Sequence, residues 1–95
     1  MPDDPGAKDL LAVRQMIDAG EIVGASSLLR ARIEDEPENA EAWFLMALVA
    51  NSAGQSDTAL RMVETALTRR PATPEYLNEK GRLLMQLGEP EKASA

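Results

Sequence analysis

The residues able to do chemistry in this chain are few in kind. Among 95 residues there is no histidine and no cysteine, which removes the usual general base, the commonest metal ligand, thiol nucleophiles and disulfides. Acid–base chemistry could still run on carboxylates, yet the 16 acidic and 10 basic residues show no catalytic constellation, so no enzymatic activity is expected. The densest acidic group is Glu34-Asp35-Glu36 with Glu38. Carboxylates at the end of a helix oppose its macrodipole, and a cation would relieve them. The group lacks the spaced ligands and internal glycine of a calcium loop, however, and reads as a solvated turn. No metal and no cofactor are expected. The net charge of −6 also works against polyanions, whose proteins must neutralise phosphates. Neither nucleic acid nor an anionic membrane is an expected partner.

The elements that would carry any surface are helices. Hydrophobic residues make up 44% of the chain but aromatics only 3%, so the core of this one domain must be built from Leu, Ile, Val, Met and Ala, which suits close helix packing. Met1 to Pro5 form an acidic tail, in which Asp4 could cap a helix and Pro5 suits its first position. The first helix is expected to run to about Ala19, with Leu10, Val13, Met16 and Ile17 on one face and Gly20 as its stop. The second, from Glu21 to Asp35, should bury Ala25, Leu28, Leu29 and Ile33, and Pro37 ends it by disfavouring helical geometry at Glu36. Asn39 should cap the third helix. The fourth should run from Ser56 to Arg70, and Thr73-Pro74-Glu75 should open the fifth with a cap, a proline and an early acid. No apolar run approaches the roughly 20 residues of a membrane span. The first residues are neither basic nor apolar enough for a secretory signal, and a cytoplasmic location is expected.

A period underlies these helices. Shifting by 34 residues carries Gly20 onto Gly54 and Gly88, Ala25 onto Ala59 and Ala93, Leu29 onto Val63, Ile33 onto Leu67, and Pro37 onto Pro71. Such self-similarity is the mark of a stacked repeat. The small residues Ala47, Ala59 and Ala66 fall where two helix axes would approach closely, and a bulkier side chain there would strain the packing.

Through Trp43, Met46, Ala47, Ala50, Gly54, Ala59, Val63, Ala66 and Pro71, the chain resembles the tetratricopeptide repeat family. The resemblance implies an all-α right-handed solenoid: a tail over 1–5, a first repeat over 6–39, a second over 40–73, and a truncated third over 74–95. Three slots depart from the pattern: Asp9 stands in the place of Trp43, Arg32 in that of Ala66, and Lys80 in that of Met46. In the family the first helix of each repeat lines a concave face that takes a peptide or helix of a partner protein. Carried over slot by slot, that face would present Arg14, Ile17 and Asp18, then Phe44, Leu48 and Asn51, then Asn78, Arg82, Met85 and Gln86. An apolar strip flanked by two arginines and several amides suits a short segment with apolar anchors and an acidic group. Against this, apolar residues at helical spacing are more often core than ligand site. The family's carboxylate-clamp subclass is a poor match, with Leu10, Leu45, Glu75 and Glu79 at slots that need cations or amides.

The reading as a protein–protein interaction scaffold or adaptor has an alternative: the front segment of a longer enzyme such as a sulfotransferase or glycosyltransferase, favoured by the unfinished third repeat. Only Pro90 to Ala95 remain for its second helix. Leu77, Leu83, Leu84 and Leu87 are therefore expected to lie open and to pair the chain into a homodimer through its C-terminal helices.

Overall fold

The computed structural model describes residues 5–88, with side chains from Leu10 onward. Among the described residues five helices follow one another: α1 (Pro5–Asp18), α2 (Ile22–Asp35), α3 (Ala40–Ser52), α4 (Ser56–Arg69) and α5 (Pro74–Gln86). No strand occurs among the described residues. The expectations placed on Asp4, Asp9, Ala93 and the segment Pro90–Ala95 fall outside what is described.

The helix ends follow local chemistry. Gly20, Gly54 and Gly88 have φ of 85°, 79° and 73°, a left-handed conformation that costs glycine nothing. At Gly54 the next amide, Gln55 N, donates back to Ala50 O at 2.9 Å while Gly54 N donates to Asn51 O at 3.0 Å, satisfying carbonyls that the helix leaves orphaned. Asn39 caps α3, its Oδ1 accepting from Ala42 N at 3.2 Å. Glu36 steadies that cap by accepting from Asn39 Nδ2 at 3.0 Å and from Arg32 Nη1 at 3.1 Å. Pro37 leaves a carbonyl in the turn that accepts from both Trp43 Nε1 at 2.9 Å and Arg69 Nε at 3.1 Å. Thr73 does occupy the N-cap of α5, but its side chain makes no cap bond. Its hydroxyl donates instead to Arg70 O at 2.8 Å, which turns it away from the α5 amides.

The helix α3 is the hub, packed against α1, α2 and α4. Eight of its 13 residues are buried: Ala40, Ala42, Phe44, Leu45, Met46, Ala47, Val49 and Ala50. A helix apolar on most of its circumference must be covered on most of it. Ala25, Ala59 and Ala66 are fully buried, and Leu29 and Val63 fill the layer beside them. Each such Leu or Val withdraws apolar surface worth about 1.5–3 kcal/mol. The small-residue register therefore marks close packing and not helix propensity alone.

Several expected burials and exposures differ. Leu28 is 52% exposed: the buried stripe of α2 runs through Ala25 and Leu29, and Leu28, rotated about 100° from Leu29 on a helix, borders a surface groove between α1 and α2. In α5 the open leucine face does not form as expected. Leu83 is 0% and Leu84 5% exposed; Leu83 lies seven residues after Tyr76, on the side of α5 that joins the common core. Leu77 is exposed and Leu87 half-buried, so the expected self-association patch shrinks to those two.

Candidate functional site

The first helices of the repeats, α1, α3 and α5, bring their equivalent positions to one cavity. It has a volume of about 320 Å³ and is lined by Arg14, Phe44, Leu48, Glu75, Asn78, Glu79 and Arg82. Arg14, Leu48 and Arg82 are successive members of one repeat slot, as are Phe44 and Asn78 of another. Five of the ten residues expected on the concave face thus meet here.

The other five sit around it. Asn51 and Gln86 approach each other through Ser56, whose Oγ lies 3.4 Å from Asn51 Oδ1 and 3.3 Å from Gln86 Oε1. Ile17 is half-buried in the core margin. Asp18 is exposed, and Met85 is 63% exposed. None of these five lines the cavity.

Phe44 does not serve as a surface anchor. It is 2% exposed, because its ring stacks on Tyr76 with centroids 4.6 Å apart and planes at 25°, and Arg14 lies above it with Cζ 5.9 Å from the ring centroid. Stacked aromatic pairs and a cation over the ring face both follow from the ring quadrupole. Phe44 is the floor of the site. Of the clamp slots, Leu45 is fully buried and offers no groove surface, whereas Glu79, largely buried, still borders the cavity.

A polar network crosses this floor and joins the first repeat to the third. Arg14 donates through Nη1 to Glu41 Oε2 at 3.4 Å and through Nη2 to Glu75. The Tyr76 hydroxyl donates to the other oxygen, Glu41 Oε1, at 3.0 Å. Glu79, the one buried charged residue among the described residues, accepts from Arg82 Nη1 at 3.2 Å; a buried carboxylate persists only when paired in this way. Burial opposes the Arg14 charge, but Glu75, Glu41 and Asp18 outweigh it and hold its pKa above the ordinary arginine value. Burial, reinforced by Glu41, pushes the Tyr76 hydroxyl up to about 12, against a smaller opposing effect of Arg70.

Glu41 and Tyr76 were the residues that sequence reasoning missed as part of the site. A signal existed: Glu41 and Glu75 are one repeat apart, an acid recurring in the first turn of two concave helices. No three metal-ligating side chains converge among the described residues.

Comparison with known proteins bears on the fold and the family. A solved structure of a MamA mutant superposes with a TM-score of 0.79 at 21% identity, over 97% of this chain and 67% of that one, which shows a shared fold. No curated protein sequence matches. The family model for the tetratricopeptide repeat matches residues 16–83, well over half the length. The chain belongs to the tetratricopeptide repeat family.

Proposed function

We propose that the chain is a non-catalytic interaction module that receives an extended segment or a helix of a partner protein along the face of α1, α3 and α5. The observation that carries this reading is the convergence of repeat-equivalent side chains from three helices on one open cavity. Repeats present such faces because each hairpin spends one side on its neighbours and leaves the other to a ligand. Leu48 and Met85 supply apolar contact, Asn78, Asn51 and Gln86 supply amides for a partner backbone, and Arg14, Asp18 and Arg82 set charge. Phe44 contributes by fixing the floor.

Photo-crosslinking tests the reading. A photoreactive residue at Asn78 or Met85 is expected to capture the partner from cell extract, and one at Arg61 or Thr68, exposed on α4, is not. Capture from α4 equal to or stronger than that from α5 overturns the assignment. Arg82→Glu is the better loss-of-binding variant, since Phe44→Ala would open a cavity in the core and report on folding.

A further inference from the structure

Resting on that reading, the chemistry around Arg14 specifies what the partner brings. The guanidinium of Arg14 reaches out of α1 and is held by groups that belong to the other two repeats: Glu41 on α3, Glu75 on α5 and the Phe44 ring beneath. Two carboxylates and an aromatic face around one planar cation are a receiving site for arginine, matched to its fork of donors and its stacking surface. The site is also prearranged, since Tyr76 fixes the Glu41 carboxylate from below. It is open on the cavity side, where Arg14 and Glu75 side chains remain 36% and 50% exposed. An ion pair so placed is weakly held.

The geometry points to Arg14 as an internal stand-in: a partner segment carrying an arginine beside an apolar residue displaces it and pairs with Glu41 and Glu75 over Phe44, with its apolar neighbour against Leu48. The surrounding charges agree with a cationic visitor. Asp18, Glu41, Glu75 and Glu79 outnumber Arg14, Arg82 and, near the Tyr76 hydroxyl, Arg70; Arg82 is already engaged by Glu79. An acidic partner group would instead meet Glu75 and Glu79. This reverses the acidic group expected of the partner from sequence.

The test uses the full chain and a short acetylated, amidated peptide with one arginine between two leucines, together with its lysine, glutamine and glutamate analogues. Amide resonances of Leu48, Asn78 and Arg82 are followed by NMR. The arginine peptide is expected to shift these resonances most. Its affinity is expected to rise about two- to fivefold in Arg14→Ala, because an internal competitor held by a weak surface pair has been removed, and to fall in Glu75→Gln. Arg14→Gln, which keeps a long polar side chain, should give the same direction, and circular dichroism verifies that each variant is folded. Weaker arginine-peptide binding in both Arg14 variants, tighter binding of the glutamate analogue, equal binding of all four peptides, or no shift at millimolar peptide each overturns the proposal. Partner capture at Asn78 or Met85 without arginine preference removes this inference and leaves the interaction-module reading standing.

Discussion

Tyr76 offers the sharpest test of the network under the groove, because it is the chain's single tyrosine and its ionisation can be followed alone by near-ultraviolet absorbance. Burial, the neighbouring Glu41 carboxylate and the hydrogen bond to it raise its pKa from 10.0 to about 12. The folded state therefore keeps a proton that the unfolded chain gives up. The associated stability is fully present below about pH 10 and is lost as pH rises through about 12. At about 1.36 kcal/mol per tenfold change in acidity the whole effect is on the order of 2–3 kcal/mol, of which about half is gone by about pH 11. Urea denaturation of the wild type and of Tyr76→Phe at about pH 9 and 11 isolates it. Phenylalanine keeps the stack on Phe44 but not the bond to Glu41, so it should be less stable by about 1 kcal/mol at the lower pH. Having nothing to titrate, it should match or overtake the wild type at the higher one. A phenolate midpoint near 10 in the folded protein, or an unchanged stability gap across the two pH values, refutes the buried Tyr76–Glu41 arrangement.

Two further predictions concern the framework. Ala59→Leu, at a fully buried site, should lower stability by about 1–3 kcal/mol through overpacking, whereas Ala53→Leu, at the exposed C-cap that follows α3, should change it little; equal urea midpoints contradict the packing assigned to α4. Gly81→Ala should raise stability by about 0.4–1 kcal/mol, since Gly81 lies within α5 and a Cβ there meets nothing within 4 Å; a lower thermal midpoint would mean that something occupies that space.

The fold was legible because its determinants are local and repeated. Gly20, Gly54 and Gly88 each close a helix by the one backbone conformation that other residues resist, Asn39 carries a side chain that reaches its own helix amides, and Pro37 forbids continuation at Glu36. These signals act within a few residues and survive without knowledge of tertiary neighbours. Thr73 shows the limit of the same logic. Its hydroxyl had two local carbonyl or amide choices within reach, and the bond to Arg70 O won over the cap, a competition that sequence pattern does not rank.

The concave slots show a different limit, set by the finite length of the stack. The 34-residue register correctly groups Phe44 with Asn78 and Arg14 with Leu48 and Arg82, but a slot is not equally buried in every repeat. Helix α3 has repeat neighbours on both sides, so its member Phe44 is closed off by Arg14 from the first repeat and Tyr76 from the third. Asn78 on α5 has only one described repeat beside it and stays exposed. Burial of an apolar residue is a property of the slot and of what flanks it together, and periodicity supplies only the first. The same asymmetry gives the site its chemistry. The central repeat provides the rigid aromatic floor and Glu41, and the outer repeats provide the chargeable side chains that reach inward over it. A partner therefore meets a fixed platform with adjustable edges, and the variants that discriminate binding from folding are those at the edges: Arg14, Glu75 and Arg82.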